Sequence, residues 1–123
     1  MAERNMDMKK CPMPVQDPDV RNKNFDEVAL GYTYDMAVNE ARRCLNCPKK
    51  PCQSACPVQI DIPAFIERVA NEDMDGAFEI LSKSTSLPAV CGRVCPQENQ
   101  CEGKCVRGIK GEAVGIGRLE RFV

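Results

Sequence analysis

The sequence predicts a small all-α domain in which loops carry clustered thiols. Apolar residues recur at helical spacing in separate stretches, and no two alternating segments read as a strand pair. Nine cysteines are present, and eight of them fall in two tight blocks. A length of 123 residues suits one small domain or a piece of a larger protein.

Residues 1–24 hold Pro12, Pro14 and Pro18 among many charges, and read as an extended arm with little structure of its own. The body of the domain is expected over 25–123. It begins with "TYDMAVNEARRC", where Tyr34, Ala37, Val38, Ala41 and Leu45 share a helical face and Thr33 is a candidate N-cap. That helix is expected to run straight into the first block, "CLNCPKKPCQSACP", with Cys44, Cys47, Cys52 and Cys56. Next, Ile62, Phe65, Ile66, Val69 and Ala70 form one apolar stripe behind an Asp61 cap, with Pro63 tolerated in the first turn. Met74, Ala77, Phe78 and Leu81 form a second stripe, so residues 62–82 read as a helical hairpin linked near Asn71–Asp73. Both stripes are ordinary core faces. The second block, "CGRVCPQENQCEGKC", supplies Cys91, Cys95, Cys101 and Cys105. A Gly-rich link follows, and "RLERFV" reads as the start of a helix.

The composition narrows the function. Seventeen basic against 18 acidic residues leave a formal charge of −1, which gives no electrostatic case for binding nucleic acid. No apolar run approaches a membrane span. "MAERNMDMKK" has no apolar h-region, so no secretory signal is expected and the location expected is cytoplasmic. With no Trp, four Phe and two Tyr, the side chains make a thin core, and something else is expected to help hold the fold. An odd cysteine count without an export signal makes a disulfide framework the weaker reading.

The blocks read C-x2-C-x4-C-x3-C-P and C-x3-C-P-x4-C-x3-C. Zinc favours paired C-x2-C knuckles, and only Cys44 and Cys47 form one. Iron–sulfur clusters favour closely spaced cysteines followed by Pro, with one ligand of a run serving the other cluster. The spacing therefore favours two [4Fe–4S] clusters, with zinc and disulfides as the alternatives. With no His in the chain, Rieske ligation and mixed Cys/His zinc sites drop out. Arg42, Arg43, Lys49, Lys50, Arg93, Lys104 and Arg107 lie near the cysteines in sequence. Positive charge there would favour a reduced cluster, although any one of them is more simply a solvated surface charge. "GIG" at 115–117 lacks the third glycine and the preceding strand of a dinucleotide loop and is set aside. Cys11 is read as a spare thiol in the arm.

Beyond these patterns, "FDEVALGYT", "EARRCLNC", "PCQSACPV", "IDIPAFI", "LPAVCGRVCPQENQCEGKC" and "IGRLERFV" together resemble the N-terminal iron–sulfur domain of the glutamate synthase small-subunit family. The same domain occurs in dihydropyrimidine dehydrogenase and in the large subunit of NADH-dependent ferredoxin:NADP oxidoreductase. The resemblance covers roughly residues 12–123. It implies an α-helical ferredoxin-like fold with two [4Fe–4S] clusters, one on Cys44, Cys47, Cys52 and Cys105. The other would take Cys56, Cys95, Cys101 and a non-cysteine ligand at Glu120, a position that is glutamine in dihydropyrimidine dehydrogenase. Counting thiols alone would choose Cys91 instead. The resemblance also implies that FAD and NADPH sit on a further part of the parent chain, and that a large partner subunit receives the electrons. The fragment would then be an electron-transfer piece of an NADPH-dependent glutamate synthase-like oxidoreductase and not catalytic alone. The alternatives are the ferredoxin:NADP oxidoreductase form and a zinc-stabilised interaction module.

Overall fold

The structure is a computed structural model that describes residues 3–123; Met1 and Ala2 of the arm lie outside the described residues. It contains helices α1 (Pro18–Arg21), α2 (Tyr34–Ala41), α3 (Pro51–Ala55), α4 (Ile62–Ala70), α5 (Met74–Ser82), α6 (Pro88–Val94) and α7 (Ile116–Phe122). Short 3-10 turns at Gln97–Asn99 and Glu102–Lys104 follow α6 through the second cysteine block, and a third at Val106–Gly108 comes directly after it. Among the described residues the only β pairing is an isolated antiparallel bridge between Val15 and Ala29. The protein is all-α, as its apolar periodicity predicts.

The helix starts follow from local chemistry. The Met36 N–H donates to Thr33 Oγ1 at 3.3 Å, the Ala64 N–H to Asp61 Oδ1 at 3.3 Å and the Gly76 N–H to Asp73 Oδ1 at 2.9 Å. Each bond satisfies one amide that a helix start leaves unpaired, worth about 1 kcal/mol. The hairpin turns at residues 71–73, where Glu72 takes a positive φ of 64°. All five α4 stripe residues are buried. Complete burial of residues such as Phe65, Ile66 and Leu81 stabilises the fold by about 1.5–3 kcal/mol each. α4 packs on α5 and α2, while α6 packs on α7. At the second contact Gly92 permits close approach, because a Cβ there would lie 2.7 Å from the Arg121 backbone nitrogen.

Two apolar expectations fail. Phe78 is 48% exposed, since Ala77 and Leu81 already fill the face that α5 turns to α4. Tyr34 is largely exposed too, its ring meeting Phe122 edge-on at 6.3 Å. Helix α2 also ends at Ala41, before the first cysteine. Its last turn is replaced by tight turns, with the Arg43 N–H donating to the Glu40 carbonyl and the Cys44 N–H to the Ala41 carbonyl.

These turns hold a buried ion pair that the sequence did not announce. Glu40 and Arg43 are 0% and 1% exposed, with Arg43 Nη1 donating to Glu40 Oε1 at 2.6 Å. Arg43 also donates to the carbonyls of Asp7 and Glu112, at 3.0 and 2.6 Å. Glu40 accepts from the N–H of Cys11 at 2.8 Å and of Gly115 at 2.9 Å. This pair ties α2 to both the arm and the Gly-rich link. The arm is anchored and more structured than the sequence suggests: it carries α1, capped by Asp17, and the Val15–Ala29 bridge, while the Asn5 N–H donates to the Arg42 carbonyl and the Glu112 N–H to the Met8 carbonyl. Arg43 is neither a solvated charge nor a free one.

Candidate metal centres

Proline places the thiols at helix ends. Pro57 and Pro96 disfavour helical backbone in the residue before them. Cys56 and Cys95 accordingly leave the helix with ψ of 126° and 137°, capping α3 and α6. Cys52 lies in the first turn of α3, one helical turn before Cys56. Cys91 lies within α6, and Cys101 and Cys105 flank the Glu102–Lys104 turn. All nine cysteines are free thiols.

The thiols gather in two groups. Cys44, Cys47, Cys52 and Cys105 line one cavity, closed by Ile62, Pro63, Ile66, Val114 and Ile116. Cys56, Cys91, Cys95, Cys101 and Glu120 form the second group: Cys95 feels the charges of Cys91, Glu120 and Cys56, and Cys101 those of Cys56 and Glu120. Helix α3 carries Cys52 of the first group, and Cys56 of the second caps its C-terminal end. Among the described residues no three acidic or thiol donors converge as a single metal ion requires. The first group instead rings a cavity, which suits a multinuclear cluster whose ligands meet different metal atoms.

The electrostatics call for cations. Burial pushes the Cys52 thiol up to about 11, with the neighbouring Cys44 adding to it. Burial, then Glu102, pushes Cys101 up to about 12. Cys44 and Cys95 are raised too, again mainly by burial. Burial alone takes the Glu120 carboxyl to about 7. Thiolates in such surroundings are costly unless metal compensates them, and binding must expel their protons. Backbone geometry already serves one sulfur: Asn46, at a positive φ of 51°, donates its N–H to Cys44 Sγ at 3.4 Å.

Two orphaned polar atoms fit the same chemistry. Glu120 is buried on α7, and its Oε1 has no hydrogen-bond partner among the described residues. An unpaired buried carboxylate oxygen beside thiols is a donor that a metal could satisfy. Arg107 lines the first cavity, with Nε likewise unpartnered. The donors present therefore fit two iron–sulfur clusters.

The basic residues near the cysteines sort differently from their sequence positions. Lys50 pairs with Asp61 at 2.9 Å, Arg93 pairs with Glu27, and Lys49 and Lys104 are exposed. Arg42 is half-buried with Nε unpartnered. Sequence reasoning missed Arg4, whose charge favours the Cys44 thiolate, because no local pattern brings the arm to that cysteine.

Comparison with known proteins points to the same iron–sulfur chemistry. Residues 21–123 match the family model described as dihydropyrimidine dehydrogenase domain II, 4Fe-4S cluster. The chain is 42% identical over 99 residues to the NAD-dependent dihydropyrimidine dehydrogenase subunit PreT of Escherichia coli, covering 80% of this chain and 24% of the relative. It is 37% identical over 129 residues to the glutamate synthase [NADPH] small chain of Halomonas elongata, covering 100% of this chain and 27% of the relative. Against the glutamate synthase [NADPH] small chain of Escherichia coli it is 35% identical over 119 residues, covering 96% and 25%. The chain thus spans about a quarter of the length of these curated relatives.

Proposed function

This chain belongs to the family of dihydropyrimidine dehydrogenase domain II, 4Fe-4S cluster, and is an iron–sulfur electron-transfer domain; from that premise we propose that it serves an NADPH-dependent oxidoreductase of the glutamate synthase small-chain type. In this reading it lies between FAD, on the remainder of a longer chain, and a large partner subunit. The observation that carries it is the division of the donors into two groups across α3. Cys44, Cys47, Cys52 and Cys105 hold one [4Fe–4S] cluster, and Cys56, Cys95, Cys101 and Glu120 hold the other. Each cluster, when bound, accepts and gives up one electron at a time.

The chain's own residues set the conditions for that exchange. The apolar wall of Ile62, Ile66, Val114 and Ile116 keeps water from the first group. The Asn46 N–H stabilises charge on Cys44. Glu120 closes the second group with a harder ligand than thiolate, which distinguishes the two centres chemically. Cys91 stays a thiol, within hydrogen-bond reach of Cys95 and 3.6 Å from Thr85 Oγ1. Residues 25–123 form the cluster-bearing domain and 1–24 its arm, in a cytoplasmic protein. The alignment to a glutamate synthase small chain runs over the whole chain, arm included, and this favours that type.

A second reading rests on the 42% identity to a subunit of NAD-dependent dihydropyrimidine dehydrogenase. Anaerobic mixing of the full-length protein with each nicotinamide separates the two. NADPH is expected to bleach the broad cluster absorption much faster than NADH. Preference for NADH moves the assignment to the second reading, and no bleaching with either defeats the proposal.

A further inference from the structure

Resting on the two-cluster reading above, we propose that Arg107 makes the centre on Cys44, Cys47, Cys52 and Cys105 the higher-potential of the two. Arg107 sits in the turn directly after Cys105 and is buried at 9% exposure. It lines the cavity that those cysteines ring. One Nη donates to the carbonyl of Asp7, which fixes the guanidinium, while Nε has no partner among the described residues. A guanidinium cannot shed its proton, so this is a permanent charge facing a nearly apolar cavity. A buried donor left unpaired is costly, and an anionic cluster would supply the missing acceptor.

The second group has the opposite surroundings. Glu120 stands among its thiols, and Glu102 lies beside Cys101, although Lys10 pairs with Glu102 at 2.6 Å. Adding an electron makes a cluster more negative. Positive charge and an N–H donor near the sulfurs therefore raise its potential, and carboxylates lower it. Arg4, beside Cys44, acts in the same sense as Arg107 but reaches in from the arm.

The test is an EPR-monitored redox titration of the full-length, cluster-loaded protein and its Arg107→Gln and Arg107→Lys variants. Iron and sulfide are assayed in each. Arg107→Gln is expected to lower the higher midpoint by an electron affinity of about tenfold, or about 59 mV for one electron, and leave the lower one unchanged; a drop in the lower midpoint alone overturns the proposal. Arg107→Lys keeps the charge, loses the Nε–H donor and is expected to fall between. If Arg107→Gln loses a cluster, the lysine variant decides: a drop in the higher midpoint alone supports the proposal. Unchanged midpoints, two equal shifts, or loss of a cluster in the lysine variant as well overturn it. A wild-type protein without iron and sulfide defeats the two-cluster reading itself, a separate outcome.

Discussion

Arg43→Ala is expected to destabilise the protein by about 3–5 kcal/mol, the usual cost of leaving one partner of a buried ion pair alone. The loss has identifiable parts. Glu40, at 0% exposure, would be left with only the N–H groups of Cys11 and Gly115 as partners. The Glu112 carbonyl would lose the Arg43 donor and the Asp7 carbonyl would keep only Arg107, weakening the tie between the arm and the Gly-rich link. Anaerobic guanidinium unfolding read by far-UV circular dichroism measures the effect. The double variant Glu40→Gln with Arg43→Met is expected to cost less than the sum of its two single changes, since no charge is left stranded. A single-variant cost near zero would mean that water reaches this pair.

Removing iron with a chelator under reducing conditions should loosen residues 91–123 far more than residues 62–82. Binding of a structural metal is folding free energy in small domains of this kind. Beyond Cys95 the second cysteine block is built from 3-10 turns, whose hydrogen bonds are poorer than α-helical ones, and of its cysteines only Cys101 is buried. Helices α6 and α7 lean on each other through Gly92 and should loosen together. The α4–α5 hairpin instead buries Phe65, Val69, Ala77 and Leu81 in the apolar core, away from the cysteine-lined cavity. Hydrogen exchange should show protection lost in the first region and retained in the second. Equal protection in both forms would contradict this.

Much of this was legible in the residues. The hairpin follows from apolar spacing and the Asp61 cap, both local signals, while the Asp73 cap of α5 was read only as part of the link. The cysteine blocks with their trailing prolines announce where helices stop and sulfurs turn inward. The exposure of Phe78 was not legible, because a periodic stripe does not reveal how wide a face its partner covers. Nor was the burial of Glu40 and Arg43, which depends on the arm and the Gly-rich link, both far away in sequence. Glu120 came only from family resemblance. Spacing alone favours Cys91, and the orphaned carboxylate oxygen on α7 becomes visible only once the chain is folded.

EPR of the reduced full-length protein carrying Cys47→Ala, Cys101→Ala, Glu120→Ala or Cys91→Ser tests the division of donors most directly. Cys47→Ala should remove or convert one cluster signal and leave the other intact, and Cys101→Ala should do the reverse. Glu120→Ala should alter the same signal as Cys101→Ala, while Cys91→Ser leaves both signals nearly unchanged. The account is contradicted if Cys47→Ala and Cys101→Ala abolish the same signal, or if Cys91→Ser costs a cluster while Glu120→Ala is silent.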